Sequence, residues 1–348
     1  MSRVRIAVAG AGLIGRRHIE EVAAGEATDL ASIVEPGPAG PELAERYGVA
    51  LHRSLTELFD HDRPDGVVLA TPNRMHVDGG LECVAAGVPV LVEKPVGDSV
   101  ESATRLVEAA EKARVPLLTG HHRNYSPVMA KAREIVRSGR LGPIVAVVGT
   151  ALFHKPDSYF GENGGWRRRR GGGPLLLNLT HEVNSLLSLV GAIESVQAVT
   201  SDAARGFPVE DTAAMLFRFA NGALGTFLLS DTAASARSWE QTTQENTSYP
   251  TYGDEDAYHL AGTRGSLSVP TMRVKVFAGE PSWWEPFETA TESVERSDPL
   301  AHQIAHFAAV VRGAAEPICS GRDGLETLRV VDAVLEAART GRTVDLRT

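Results

Sequence analysis

Cysteine is almost missing from this chain of 348 residues: there are two, Cys83 and Cys319. They lie far apart and without the spacing of a metal site or a redox pair. A disulfide-stapled fold is therefore excluded, and free thiols in a reducing compartment are expected. Positive charge is also in short supply. The net charge of −9 argues against general affinity for nucleic acid or an anionic membrane, a local basic patch aside. No stretch reaches the ~18 consecutive apolar residues of a membrane-spanning helix. The first apolar run, Val4 to Ala9, is very short and passes straight into a glycine turn, which reads as a strand and not as a signal peptide. Internal repeats and low-complexity linkers are lacking too. The expectation is a cytoplasmic protein whose partner is a small molecule.

What is abundant is glycine, 34 residues, beside 43% hydrophobic residues, a composition typical of an α/β enzyme. The length suggests two domains, each able to bury a sizeable core. After the strand Val4–Ala9 comes Gly10-Ala11-Gly12-Leu13-Ile14-Gly15, then a helical pattern from Arg16. This is G-x-G-x-x-G in its strand, turn and helix context. Gly10 makes the turn, Gly12 admits a pyrophosphate close to the backbone, and Gly15 lets helix and strand approach. The helix start at Leu13 and Ile14 offers free N–H groups to phosphates. A second strand from Leu30 ends in Glu35, 25 positions after Gly10. That is close to the ~20 expected of a carboxylate on the adenosine ribose hydroxyls. Such a carboxylate repels a 2′-phosphate and no arginine follows it directly, so NAD is favoured over NADP. Without a ligand, the same residues would be a tight turn and a solvated acid.

The rest of the chain is organised around Val88-Pro89-Val90-Leu91-Val92-Glu93-Lys94-Pro95. Its apolar part suits a strand buried on both faces. It ends on a charged pair and a proline, which places Lys94 at the carboxyl end of a strand, the edge where open α/β sheets bind ligands. Upstream, Gly66 to Ala70 is another strand, and Thr71-Pro72-Asn73-Arg74-Met75-His76 opens a helix at its carboxyl end. Thr71, Asn73 and His76 are therefore expected along the cofactor rim. One more strand, Val115 to Thr119, completes an alternation that predicts a doubly wound parallel sheet.

The glycine motif, the Thr71–His76 stretch and above all Glu93-Lys94-Pro95, in this order, resemble the Gfo/Idh/MocA oxidoreductase family (glucose–fructose oxidoreductase, inositol dehydrogenase and relatives). The resemblance implies a Rossmann domain over 1–122 and a substrate-binding and oligomerisation domain over 123–348, with the crossover at Gly120 to Pro127. It implies that Lys94 touches the substrate hydroxyl and the nicotinamide ribose, often before a cis proline. It also adds Pro72, Glu93 and Arg123 to the cofactor-binding residues.

Beyond the crossover, strands at Ile144 to Phe153, Ser195 to Thr200, Ala213 to Phe219 and Ala223 to Leu229, the last two joined by Asn221-Gly222, predict an α+β domain with an open, mainly antiparallel sheet. One face would carry helices. The other is free for pairing into a homodimer or homotetramer. Ser230 to Asp256 reads as the loosest stretch. Chemistry is expected at Gly171-Gly172-Gly173-Pro174 and the apolar run after it, where Asn178 and His181, three apart, share a helix face. Polar residues on a leucine-rich helix call for partners or a ligand. A lone histidine there is more often a satisfied core residue, but the resemblance places the family's catalytic histidine at His181. The common family pattern has an aspartate four residues before it, and here that residue is Leu177. Asn178 hydrogen-bonds a hydroxyl but takes no proton, leaving His181, with an ordinary pKa of ~6.5, as the general base. Lys94 would stabilise the developing alkoxide.

The arginines at 167–170 read as a solvated loop; Arg167 from it and Lys155 from the upstream stretch His154 to Phe160 are candidates to line the substrate site, suiting a hydroxyl-rich or carboxylated substrate. Tyr258 and His259 are further candidates. Residues 299–312 and 324–340 read as structural helices. The reading is an NAD-dependent dehydrogenase that oxidises a secondary alcohol of a sugar, inositol or related polyol. Its rivals are an NAD-dependent glycosidase of the same fold and a non-catalytic sensor of dinucleotide or sugar.

Overall fold

A computed structural model describes residues 2–169 and 172–347. Arg170 and Gly171, from the arginine run and the glycine turn, lie outside the described residues. The first strands and helices are β1 (Val4–Ala9), α1 (Leu13–Ala24), β2 (Thr28–Val34), α2 (Ala39–Tyr47), β3 (Ala50–His52), α3 (Leu55–His61), β4 (Gly66–Leu69), α4 (His76–Ala85), β5 (Val90–Val92), α5 (Val100–Ala113) and β6 (Leu117–Thr119). Among the described residues these strands form one parallel sheet in the order β3-β2-β1-β4-β5-β6. Every residue of β4, β5 and β6 is buried, as expected of strands covered by helices on both faces. The order reverses between β1 and β4, and that switch point puts the ends of β1, β2, β4 and β5 around one crevice.

The chain continues through α6 (Pro127–Arg137), β7 (Ile144–Leu152), α7 (Pro174–Leu177), α8 (Leu179–Val190), β8 (Ile193–Ser201), β9 (Thr212–Phe219), β10 (Leu224–Ser230), α9 (Trp239–Thr242), β11 (Tyr258–Gly262), β12 (Gly265–Val269), β13 (Arg273–Phe277), β14 (Phe287–Thr291), α10 (Pro299–Val311), α11 (Gly321–Thr340) and β15 (Val344–Asp345). Among the described residues a second sheet runs β14-β13-β12-β11-β7-β10-β9-β8-β15. Its pairs are antiparallel except β7 with β10. Residues of β9 alternate: Ala213, Met215, Phe217 and Phe219 point into the core, while Ala214, Leu216 and Arg218 are exposed. Period-two alternation of this kind marks a sheet with one covered face. The hairpin turn at Asn221-Gly222 forms with Gly222 at a φ of 87°, a conformation that glycine adopts without strain.

Two compact units result: Met1–Tyr125 with Pro299–Leu328, and Ser126–Asp298 with Arg329–Thr348. The division falls after Tyr125 and not after residue 122, and 299–328 belongs to the first unit, where the sequence suggested the second. The reason is packing. Phe307 of α10 is fully buried, and a Cβ on Gly66 of β4 would stand 3.0 Å from its ring. Hydrophobic periodicity identifies a helix's apolar face but not which core receives it. The stretch 230–256 is also tighter than expected. Trp239 is buried, and Glu245 accepts a 2.5 Å hydrogen bond from Ser126 Oγ.

Candidate functional site

The three motif glycines each meet a different steric demand. Gly10 sits at a φ of +96°, and an added Cβ would stand 2.4 Å from the Ala70 carbonyl oxygen. At Gly15 the same Cβ would lie 2.0 Å from the Gly10 carbonyl oxygen, so helix and turn touch backbone to backbone. At Gly12 it meets nothing within 4 Å; that side of the backbone is open. Gly12 precedes α1 without a side-chain cap, so the first helical N–H groups, at Leu13 and Ile14, are left for an anion. The open side belongs to a cavity of about 760 Å³, lined among others by Gly12, Glu35, Arg53, Thr71 and Pro72. The Glu35 carboxylate closes one wall, accepting N–H bonds from Ala11 (2.8 Å) and Gly37 (2.7 Å). An open backbone beside uncapped helical N–H groups, with a carboxylate at the end of the neighbouring strand, fits a dinucleotide.

Not every rim candidate faces this cavity. Asn73 is exposed on the single 3-10 turn that follows Pro72. His76 is buried, with Nδ1 2.7 Å from the Pro95 carbonyl oxygen and Nε2 2.9 Å from that of Thr71. It is a clasp between the ends of β4 and β5, not a rim residue.

Glu93 and Arg123 are likewise buried and take no part in lining the nucleotide cavity. Glu93 stands behind the lysine. Its Oε1 is 2.8 Å from His18 Nε2, and its Oε2 accepts the Lys94 N–H at 3.0 Å. Burial pushes this carboxyl up, but the His18 hydrogen bond and charge, with Lys94 and His122, outweigh it and hold the group at about 2. Gly120 closes the other side, since a Cβ there would lie 2.8 Å from the Glu93 carboxyl. Beside it His121 is buried. Burial first, then the Lys94 charge, lowers its imidazole to about 3 against the pull of Glu93. The Lys94–Pro95 peptide is cis. His18 and His121 were not singled out in the sequence. A histidine three residues past the last motif glycine, on the apolar face of α1, reads as core until its partner is seen.

In the second unit, Asn178 stands at the break between α7 and α8, with φ −115°, and its carbonyl accepts the His181 N–H at 3.1 Å. The sequence placed both residues on one continuous helix; the structure makes Asn178 the N-cap of the helix that carries His181. Lys155 Nζ donates to Asn178 Oδ1 at 2.8 Å and lies 3.6 Å from Asp231 Oδ2, an ion pair and not a hydrogen bond. Asp231 is buried and faces Arg205, whose Nε is 3.0 Å from Oδ1. The Arg167 guanidinium lies 3.9 Å from the Tyr159 ring centroid, and Lys155 Nζ 4.7 Å from it. Burial lowers the Lys155 ammonium to about 8, with Asp231 opposing and Arg167 and Arg205 assisting. Arg168 and Arg169 are exposed, in keeping with a solvated loop. Tyr258 and His259 do not join this group. Tyr258 is buried and donates its hydroxyl hydrogen to Glu182, and His259 pairs with Ser268 Oγ at 3.1 Å. Asp231 and Arg205 went unnoticed in the sequence, where they are single charges in polar stretches far from Lys155.

Comparison with known proteins bears on the family and the fold. The family description "Oxidoreductase family, NAD-binding Rossmann fold" matches residues 4–121, and "GFO/IDH/MocA C-terminal domain" matches 129–268. Over 350 residues, 99% of both chains, the sequence is 24% identical to inositol 2-dehydrogenase of Rhizobium meliloti (strain 1021). It is 31% identical to the rhizopine catabolism protein MocA of Rhizobium meliloti over 147 residues, 42% of this chain and 46% of that one. The crystal structure of the WlbA dehydrogenase from Bordetella pertussis, in complex with NADH and UDP-GlcNAcA, superposes with a TM-score of 0.79 at 25% identity over 100% of both chains. No helix among the described residues is long and apolar enough to cross a membrane.

The Glu93 pair has a measurable signature. A carboxyl held at about 2 against an ordinary 4.5 contributes stability that is complete above pH ~4.5 and is lost as pH falls toward 2. Glu93→Gln is therefore expected to destabilise the protein more at pH 6 than at pH 3 in urea titrations. An equal loss at both pH values would mean that the carboxylate is not held ionised by His18.

Proposed function

The chain belongs to the Gfo/Idh/MocA oxidoreductase family, and from that premise we propose that it is an NAD-dependent dehydrogenase oxidising a secondary alcohol of a sugar, inositol or related polyol. The observation that carries the proposal is the glycine cradle beside Glu35, with Lys94 fixed at the end of the strand next to β4. When bound in that cradle, the nicotinamide ring is the hydride acceptor. The chain's own residues supply the rest. Lys94 presents an ammonium to the oxygen that becomes an alkoxide-like group. His181 takes the hydroxyl proton. Asn178, held by Lys155, orients the hydroxyl through its amide. Glu35 supports NAD over NADP, because a 2′-phosphate would meet its carboxylate. The names of the relatives, an inositol dehydrogenase and a dehydrogenase bound to a nucleotide sugar, support a polyhydroxylated substrate. Buried free thiols at Cys83 and Cys319 support a cytoplasmic setting.

The exposed face of the second sheet supports a homodimer or homotetramer. Val148, Val199, Leu216 and Leu228 lie on it, exposed between 40% (Leu228) and 68% (Val199). Register brings them together: Thr226 pairs with Val148 and Leu216, and Ala214 with Leu228 and Val199. A contiguous apolar surface of this kind is normally covered by a partner.

Purified protein with NAD is expected to form NADH from at least one member of a panel of inositols, aldoses and sugar acids. Lys94→Ala lowers turnover by at least about a thousandfold while NAD still binds by fluorescence titration; near-normal turnover in that variant refutes the lysine role. Leu216→Glu combined with Leu228→Glu is expected to lower the molar mass in light scattering to that of one chain. An unchanged mass would place the subunit contact elsewhere.

A further inference from the structure

We propose that the second-unit site selects a substrate bearing a carboxylate, a uronic acid or similar polyhydroxy acid, held by Lys155 and Arg167. This deepens the dehydrogenase reading and rests on it. Three cations, Lys155, Arg167 and Arg205, converge on Tyr159 and Asp231. Arg205 is already committed: Nε binds Asp231 Oδ1 at 3.0 Å, and Nη2 donates to the carbonyl oxygens of Lys155 at 2.8 Å and Asp231 at 2.6 Å. Asp231, with a side chain only 4% exposed, thus serves Arg205 first and reaches Lys155 only at 3.6 Å. Asp157 lies 3.8 Å from Arg205 but its side chain is fully in water. Among the described residues no other carboxylate pairs with Lys155 or Arg167. The result is an excess of positive charge around a lysine whose side chain is 11% exposed.

Such charge is costly to keep out of water without a counter-charge. Asn178, which accepts the Lys155 hydrogen bond, is a neutral amide, so at that position no carboxylate opposes an anion. Arg167 is held over Tyr159, 3.9 Å from the ring centroid, with Nη1 donating to the Tyr159 carbonyl oxygen at 2.7 Å. Those two contacts fix the position of a guanidinium, a group whose forked donors suit a carboxylate. Lys155 has three N–H donors, and Asn178 takes one of them. Exposed Arg168 and Arg169 extend the positive field outward, which favours the approach of anions.

The test compares D-glucuronate, D-galacturonate and D-mannuronate, each with its methyl ester, which removes the charge and adds one methyl group, and with its primary amide, which removes the charge at nearly the same size. NADH formation and thermal shift are both read. An acid is expected to exceed its ester by at least about tenfold in kcat/KM at pH 7. The acid:ester ratio should fall as pH rises through about 8, where Lys155 loses its proton with Asp231, Arg167, Arg205 and Tyr159 around it. Lys155→Met and Arg167→Met should each reduce that ratio at least tenfold. Equal use of acid and ester, or a ratio unmoved in both variants, overturns the inference while leaving the dehydrogenase reading in place. If no polyol or acid reduces NAD, the dehydrogenase reading fails by itself. Thermal shift then decides the inference: stabilisation by an acid over its ester, lost in Lys155→Met, supports it, and no acid stabilising more than its ester overturns it.

Discussion

The Glu93 carboxylate lies out of water at the end of β5, where burial alone would drive it neutral, and it stays ionised because the His18 ring is 2.8 Å away. Removing one partner of such a pair strands the other's charge. The pair ties α1, which begins at the phosphate cradle, to the turn that presents Lys94. His76, the first residue of α4, adds a second tie, reaching the Pro95 and Thr71 carbonyls. The lysine's backbone is thus braced from two neighbouring helices, α1 and α4, while its side chain stays half-buried rather than sealed in. Rigid support beneath a charged side chain is what a group needs to meet a reacting oxygen with little reorganisation.

A comparable economy governs the second unit. Asp231 holds Arg205, Arg205 holds the Lys155 backbone, and the Lys155 side chain holds Asn178. The Asn178 amide is therefore fixed by a chain of polar contacts that begins at Asp231, just past the end of β10, whose neighbour β7 leads toward Lys155. A neutral residue at position 178 is compatible with proton removal only if another group accepts the proton, the task that the proposed mechanism gives to His181.

Legibility in the sequence followed the range of the interactions. The parallel sheet, the glycine turn and Glu35 were readable because strand, turn and helix signals are local and the motif's spacing is fixed by backbone contact. The open second sheet was readable from alternation and from Asn221-Gly222. Local signals do not carry pairings across long separations. His18 and Glu93 are 75 positions apart, and nothing near either names the other. The same holds for Lys155 with Asp231, and for α10, which returns to the first unit's core through Phe307. His76 shows the converse error: a motif position at a rim turned out to point inward, because two carbonyl oxygens required it.

The most direct test of the account is the fate of the carbinol hydrogen. Polyols and sugar acids deuterated at each secondary carbinol carbon would be incubated with the protein and NAD, and the nicotinamide product weighed by mass spectrometry. Deuterium recovered in NADH, with a matching ketone or lactone, is the predicted result. Product formed with the deuterium released to water, or sugar released from a glycoside with no deuterated NADH, would contradict net hydride transfer as this protein's reaction.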